Sequence, residues 1–244
     1  MPSPALAAAL ADIDTLFNGF ASPHETGCPL CHLPEETAHL RTPYTRIPPD
    51  VLRRYAFEGP GHFDDHAASM RRLLPQTAHA LADGTLDGIG WGCPGLARVA
   101  WRTWPAGQAA AIEGFVLAWW QDVLATAAPP YPAADVFETC AMILGVQTPL
   151  LDRWLPGPAA DAHLVSCVAR WEHQLVFDES PFSWWAPDDE PAVVAALRAW
   201  LAENAPARLR VAGEPDLALR TGLLALPHDD RWAHPYWYSS SPGD

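Results

Sequence analysis

A chain of 244 residues that is 49% hydrophobic can bury a substantial core and fold as one domain over its whole length. Its charge is lopsided, with 29 acidic residues against 15 basic ones, every one of them Arg, and a net charge of −14. That balance argues against phosphate backbones and anionic lipid surfaces as partners, so neither nucleic acid nor a membrane is expected to bind it.

The Ala-rich N-terminal run lacks a basic lead and carries Asp12 and Asp14, so it reads as a helix and not as an export signal. Ser3 is placed to cap it and Pro4 to open it, with Leu6, Leu10, Ile13, Phe17 and Phe20 on one face. Next comes His24-Glu25-Thr26-Gly27-Cys28-Pro29-Leu30-Cys31-His32, the one segment with recognisable chemistry. A Cys-x-x-Cys turn supplies two thiolates to a tetrahedral zinc ion, which takes four sulfur or nitrogen donors when its role is structural. The same pair can also be a redox dithiol or simply two thiols; the βαβ context of a redox pair is absent. The imidazoles nearest in sequence, His24, His32, His62 and His66, are the candidates to complete a zinc site. His62 and His66, four apart, are expected on one helical face, able to reach one ion.

Short helices are expected from Pro34 and from Pro49, the latter carrying Val51, Leu52, Tyr55 and Ala56, then a longer one over 63–82 with a kink at Pro75. Pro105 opens the most hydrophobic segment, apolar nearly all round and interrupted by Glu113. Further helices are expected over 134–144, 149–155, 159–177, 191–203 and 215–226. The 26 prolines punctuate these elements, since apolar periodicity resumes after each. The aromatic tail from His228, with Trp232, Tyr236, Trp237 and Tyr238, is expected to dock on the body. The fold class is therefore all-α, packed antiparallel helices in a single domain, with room for a loosely solenoidal second half.

Other candidate chemistry is sparser. His62, Asp64, Asp65 and His66 permit an open catalytic metal with Glu113 as a base, although a carboxylate on an apolar helix more often pairs with Arg, here Arg98 or Arg102. Cys140 and Cys167 read as core, and Cys93 stands near a helix start. Five cysteines give no disulfide framework and fit the reduced thiols of a bacterial-type cytoplasm. Trp184 and Trp185, a loop pair among twelve tryptophans, can line a pocket for a cation or sugar ring. The common hydrolase, P-loop and dinucleotide signatures are absent.

Gly27-Cys28-Pro29-Leu30-Cys31, Leu52 with Tyr55, Arg71-Arg72-Leu73-Leu74-Pro75, the Trp104-to-Trp119 helix and Pro149-Leu150-Leu151-Asp152-Arg153-Trp154 together resemble a family of bacterial helical proteins without an assigned activity. In that family a His stands where this chain has Arg72, so no ligand is assigned there. The resemblance implies an all-helical fold and leaves activity open. The function expected is a cytoplasmic scaffold or interaction protein stapled by zinc at Cys28 and Cys31. The alternatives are a metal-dependent hydrolase using His62 and His66 with a carboxylate, and a small-ligand binder at Trp184 and Trp185.

Overall fold

The computed structural model describes residues 1–90, 92–182 and 189–239, and every regular element among them is helical. The chain divides into two compact units, Met1–Arg153 and Trp154–Asp244.

In the first unit, α1 (Pro4–Phe17) begins where the Ser3 hydroxyl accepts the Leu6 N–H, and it buries Leu6, Leu10, Ile13 and Phe17 at 3.6-residue spacing. Phe20 lies beyond the end of the helix. Proline opens both α2 (Pro34–Arg41) and α3 (Pro49–Phe57), and α3 buries Val51, Leu52, Tyr55 and Ala56 as its pattern requires. The next helix, α4 (His66–Ala82), starts three residues later than the apolar pattern suggests. The reason is local: Asp65 takes the capping position and accepts the Ala68 N–H at 2.9 Å, while Phe63 is extended. Within α4, Pro75 withholds the N–H that would reach the Arg71 carbonyl, yet the helix continues to Ala82.

α5 (Ala106–Ala125) packs on α1 and on α6 (Ala133–Leu144), and the short α7 (Thr148–Leu151) contacts both α5 and α6. α5 is not apolar all round: Ala106, Ala110, Glu113, Gly114 and Gln121 form an exposed stripe. Glu113 is thus a solvated carboxylate and neither a buried base nor half of a buried ion pair. α6 is the fully enclosed helix, all twelve of its residues buried. Cys140 sits on it with no exposed surface, and burial pushes its thiol well above the ordinary value.

In the second unit, α8 (Pro158–Val176), α9 (Glu190–Val211) and α10 (Pro215–Leu223) each pack on the other two. This closed triangle differs from the open row of a solenoid. Cys167 is in its core. α9 runs eight residues past the expected end and straight through Pro206. A proline inside a helix costs about 3 kcal/mol. Against that, the stripe Val194, Leu197, Leu201, Ala205 and Leu209 stays buried to its last member, and burying one Leu returns about 2 kcal/mol. Arg208 adds a pairing with Asp161 at 2.5 Å and a bond to the Trp154 carbonyl at 3.0 Å. The tail docks within this unit as α11 (His228–Trp232) and α12 (Tyr236–Ser239), with Arg231 fully buried and Trp232 against Phe177 at 4.9 Å.

Candidate metal centre

The site grows from a turn that only a particular backbone can make. Gly27 has φ +69°, and a Cβ there would come within 2.6 Å of Thr37 Cγ2 and 3.0 Å of the His32 ring, so glycine is required twice over. After it, the N–H groups of Cys31 and His32 both donate to the Cys28 carbonyl (3.1 and 2.9 Å), closing one tight turn. The Cys28 N–H in turn reaches the His62 carbonyl at 3.1 Å, joining this turn to the 3₁₀ turn Pro60–His62.

Within that junction one donor atom each from Cys28, Cys31 and His62 lies within 4.8 Å of the others. Cys31 is exposed and Cys28 half-buried, so the group opens to solvent. The two thiols are unequal. The Leu30 backbone and then the Cys31 thiol hold Cys28 below the ordinary thiol value, while the Cys28 sulfur, burial and nearby Glu58 push Cys31 up. Cys28 is the first to become a thiolate, and the thiolate is the form that ligates.

Two acidic residues organise the surroundings. Glu58 Oε2 pairs with His32 Nε2 at 3.3 Å, and its Oε1 lies 3.4 Å from His62 Nδ1 without a hydrogen bond, so one carboxylate sits against both rings and orients that of His32. His32 is 5% exposed; its Nδ1 accepts the Cys28 N–H at 3.2 Å, which makes Nε2 the protonated nitrogen facing Glu58. Both of its nitrogens are therefore spent inside the protein, and His32 supports the site without joining it. Glu25 is 1% exposed, and the Arg41 guanidinium beside it bonds its carbonyl at 2.8 Å and not its carboxylate. It accepts instead from the N–H groups of Gly27 (3.0 Å), Asp64 (2.9 Å) and Asp65 (3.2 Å) and from the hydroxyls of Ser69 (2.9 Å) and Ser22 (3.4 Å). A buried carboxylate is tolerable only when it is so fully hydrogen-bonded. Its five donors come from the two chain segments that flank the thiols and His62, which it clamps together.

The remaining candidates lie elsewhere. His24 is exposed and outside the group. His62 and His66 do not share a helical face, because His62 ends a 3₁₀ turn and His66 begins α4 after an intervening extended residue. The His66 ring stacks on Phe63 at 5.0 Å, and burial, then Arg98, holds it below the usual imidazole value. Asp64 is engaged by the Thr26 N–H (2.8 Å) and hydroxyl (2.6 Å), which lower its carboxyl, and Asp65 is engaged in capping α4. Cys93 is half-buried and turned to the Pro94 carbonyl at 3.7 Å. Trp184 and Trp185 lie outside the described residues.

Sequence reasoning missed Glu25 and Glu58 as parts of this site. Glu25 had a faint signal: an acidic side chain inside a Ser-Pro-His-Glu-Thr-Gly turn has many unpaired N–H groups nearby. Comparison of the chain with known protein families, characterised proteins and solved structures finds no match to any of them.

No helix among the described residues is long and apolar enough to cross a membrane.

Proposed function

We propose that Cys28, Cys31 and His62 hold a zinc ion that staples the Cys-x-x-Cys turn to the Pro60–His62 turn, in a helical scaffold or interaction protein working in a reducing cytoplasm. The observation that carries this reading is the mutual approach of the three donor atoms within 4.8 Å. Two thiolates and an imidazole are soft to borderline donors, a set that suits zinc better than magnesium, calcium or manganese. His62 Nδ1 lies 3.4 Å from Glu58 Oε1, so a carboxylate stands beside the imidazole of the donor set. All five cysteines are free thiols, in keeping with a reducing compartment. Kinship with the bacterial Gly-Cys-x-x-Cys family belongs to the same proposal and rests on its short motifs.

Elemental analysis of the purified chain tests it. About one zinc per chain is expected; Cys28→Ser is expected to lose the metal and lower the melting temperature together, because metal binding free energy is folding free energy. Metal-free protein with undiminished stability would refute the staple. A second reading is favoured by one observation: three protein donors are gathered among the described residues, and zinc with three protein ligands keeps a fourth position for water, the pattern of catalytic sites. In that reading His62, not a His62–His66 pair, carries the metal of a hydrolase. Zinc-dependent hydrolysis of an activated ester, lost in His62→Ala, would support it, and zinc-loaded protein without such turnover would count against it.

A further inference from the structure

Away from the thiols, the first unit holds a cavity of about 620 Å³ between the C-terminal end of α1, the loop at residues 44–49 and one face of α4. That volume falls within the range of small-molecule sites. Phe17, Ile47, Leu52 and Leu86 give it an apolar body. Its polar groups are distributed unevenly, and that distribution specifies a ligand.

At one end Arg72 is 7% exposed and has no carboxylate against it. Its Nε donates to the Thr42 carbonyl at 3.1 Å, and its Nη2 to the Thr45 carbonyl and hydroxyl. Nη1 is left without a protein partner on a side chain that lines the cavity. A buried guanidinium satisfied only by neutral oxygens is costly, and burial lowers its pKa. Two turns along the same face of α4, His79 Nε2 meets Asp14 Oδ2 at 2.9 Å, both side chains about half exposed at the cavity wall. Arg72 and His79 are thus about 10 Å apart along the helix axis.

The loop over this space is strained. Tyr44 has φ +61°, a left-handed backbone that bulky side chains rarely adopt. Its phenol lies against Gly19, where a Cβ would sit 2.4 Å from the hydroxyl oxygen. The strain is held in place from within the cavity, since Thr42 and Thr45, on either side of Tyr44, are the residues Arg72 binds. Strain of this kind gathers at ligand clamps.

We infer that this cavity binds a small amphipathic monocarboxylate, with its carboxylate on Arg72 and a hydroxyl or similar polar group at its far end on the His79–Asp14 pair. The charge count selects a monoanion. Arg46 and Arg72 are balanced on the cavity wall by Asp14 and Asp83, so a phosphate dianion would find too little positive charge. The spacing of the two polar ends selects a ligand the length of an aryl or short-chain hydroxy acid, with its apolar middle against the apolar wall.

The test is calorimetric titration of the full metal-loaded chain with para-hydroxyphenylpropanoate, phenylpropanoate, phenylpropanol and phenyl phosphate. Saturable binding of the hydroxy acid is expected, at least about tenfold tighter than the alcohol, the discrimination one charge-assisted hydrogen bond supplies. Ala80→Phe, which fills the cavity, is expected to weaken that binding at least about tenfold, and His79→Ala to erase the preference for the hydroxylated acid. If Ala80→Phe fails to fold, Asn18→Trp narrows the same cavity from its exposed rim and gives the same readout. Absence of saturable binding, equal binding of acid and alcohol, tighter binding of the phosphate ester, or binding unchanged by the cavity-filling variant would each overturn the inference.

Discussion

Two corners of this molecule use a fully buried charge in opposite ways. In the second unit Arg231 gathers the carbonyls of Leu175, Val176 and Leu226 and pairs with Asp178 at 3.1 Å, and Asp178 is also bound by Arg198 and by His228 at 2.8 Å. The cation and anion answer each other, and the corner is closed. In the first unit the Glu25 carboxylate gathers neutral N–H and O–H donors from residues 22–27 and 64–69, and beside it two thiols and an imidazole converge with the Glu58 carboxylate against the imidazole. The first arrangement is a lock; the second is a frame around a group that could hold a metal ion. A buried charge by itself does not mark function, whereas convergent donors left over after the frame is complete do.

The sharpest way to break this contrast is to remove each central charge. Glu25→Ala strands three partly buried N–H groups and the buried Ser69 hydroxyl, and is expected to cost roughly 3 kcal/mol, measured by denaturant unfolding, and to release the metal as well. Arg231→Met is expected to cost less, roughly 2 kcal/mol, because Asp178 keeps Arg198 and His228, and to leave metal content unchanged. Equal costs, or metal loss from Arg231→Met, would erase the distinction.

Gly27→Ala should come next, at roughly 2 kcal/mol, since it combines a left-handed backbone with a steric encounter at Thr37 and His32; metal affinity should fall in parallel, read by competition with a chromophoric chelator. The smallest effect is a pH slope. His66 titrates below its unfolded value of 6.5, so protons favour the unfolded chain. Its contribution is complete above pH 6.5 and is lost as pH falls from there through its depressed folded value. The wild type should therefore lose melting temperature relative to His66→Phe in metal-saturated buffer as the solution is acidified, and curves that stay parallel would show that burial of His66 does not matter to stability.

The helices were legible in the sequence because apolar spacing and proline punctuation agree, as in α1 with Ser3 and Pro4 or α3 with Pro49. Where two local signals competed, the tertiary term decided. Asp65 stopped α4 from reaching back to Phe63, and the buried stripe around Leu209 carried α9 through Pro206. The thiol pair was equally plain, being contiguous. Its third donor was not, because His62 and His66 look alike in spacing, and only the 3₁₀ turn and the Glu58 carboxylate separate them. Glu25 left only a faint trace, because two of its three N–H donors lie about forty residues away and backbone donors leave no side-chain signature.

The central claim is that two sulfurs and one imidazole nitrogen grip a single ion. X-ray absorption at the zinc edge of the purified, metal-replete chain addresses it directly. The expected shell has two sulfur neighbours at about 2.3 Å, one imidazole nitrogen at about 2.0 Å and one further light atom. Cys31→Ser should lower the sulfur count to one, and His62→Ala should remove the imidazole signal. A zinc shell without sulfur, or a shell unchanged by both substitutions, would contradict it.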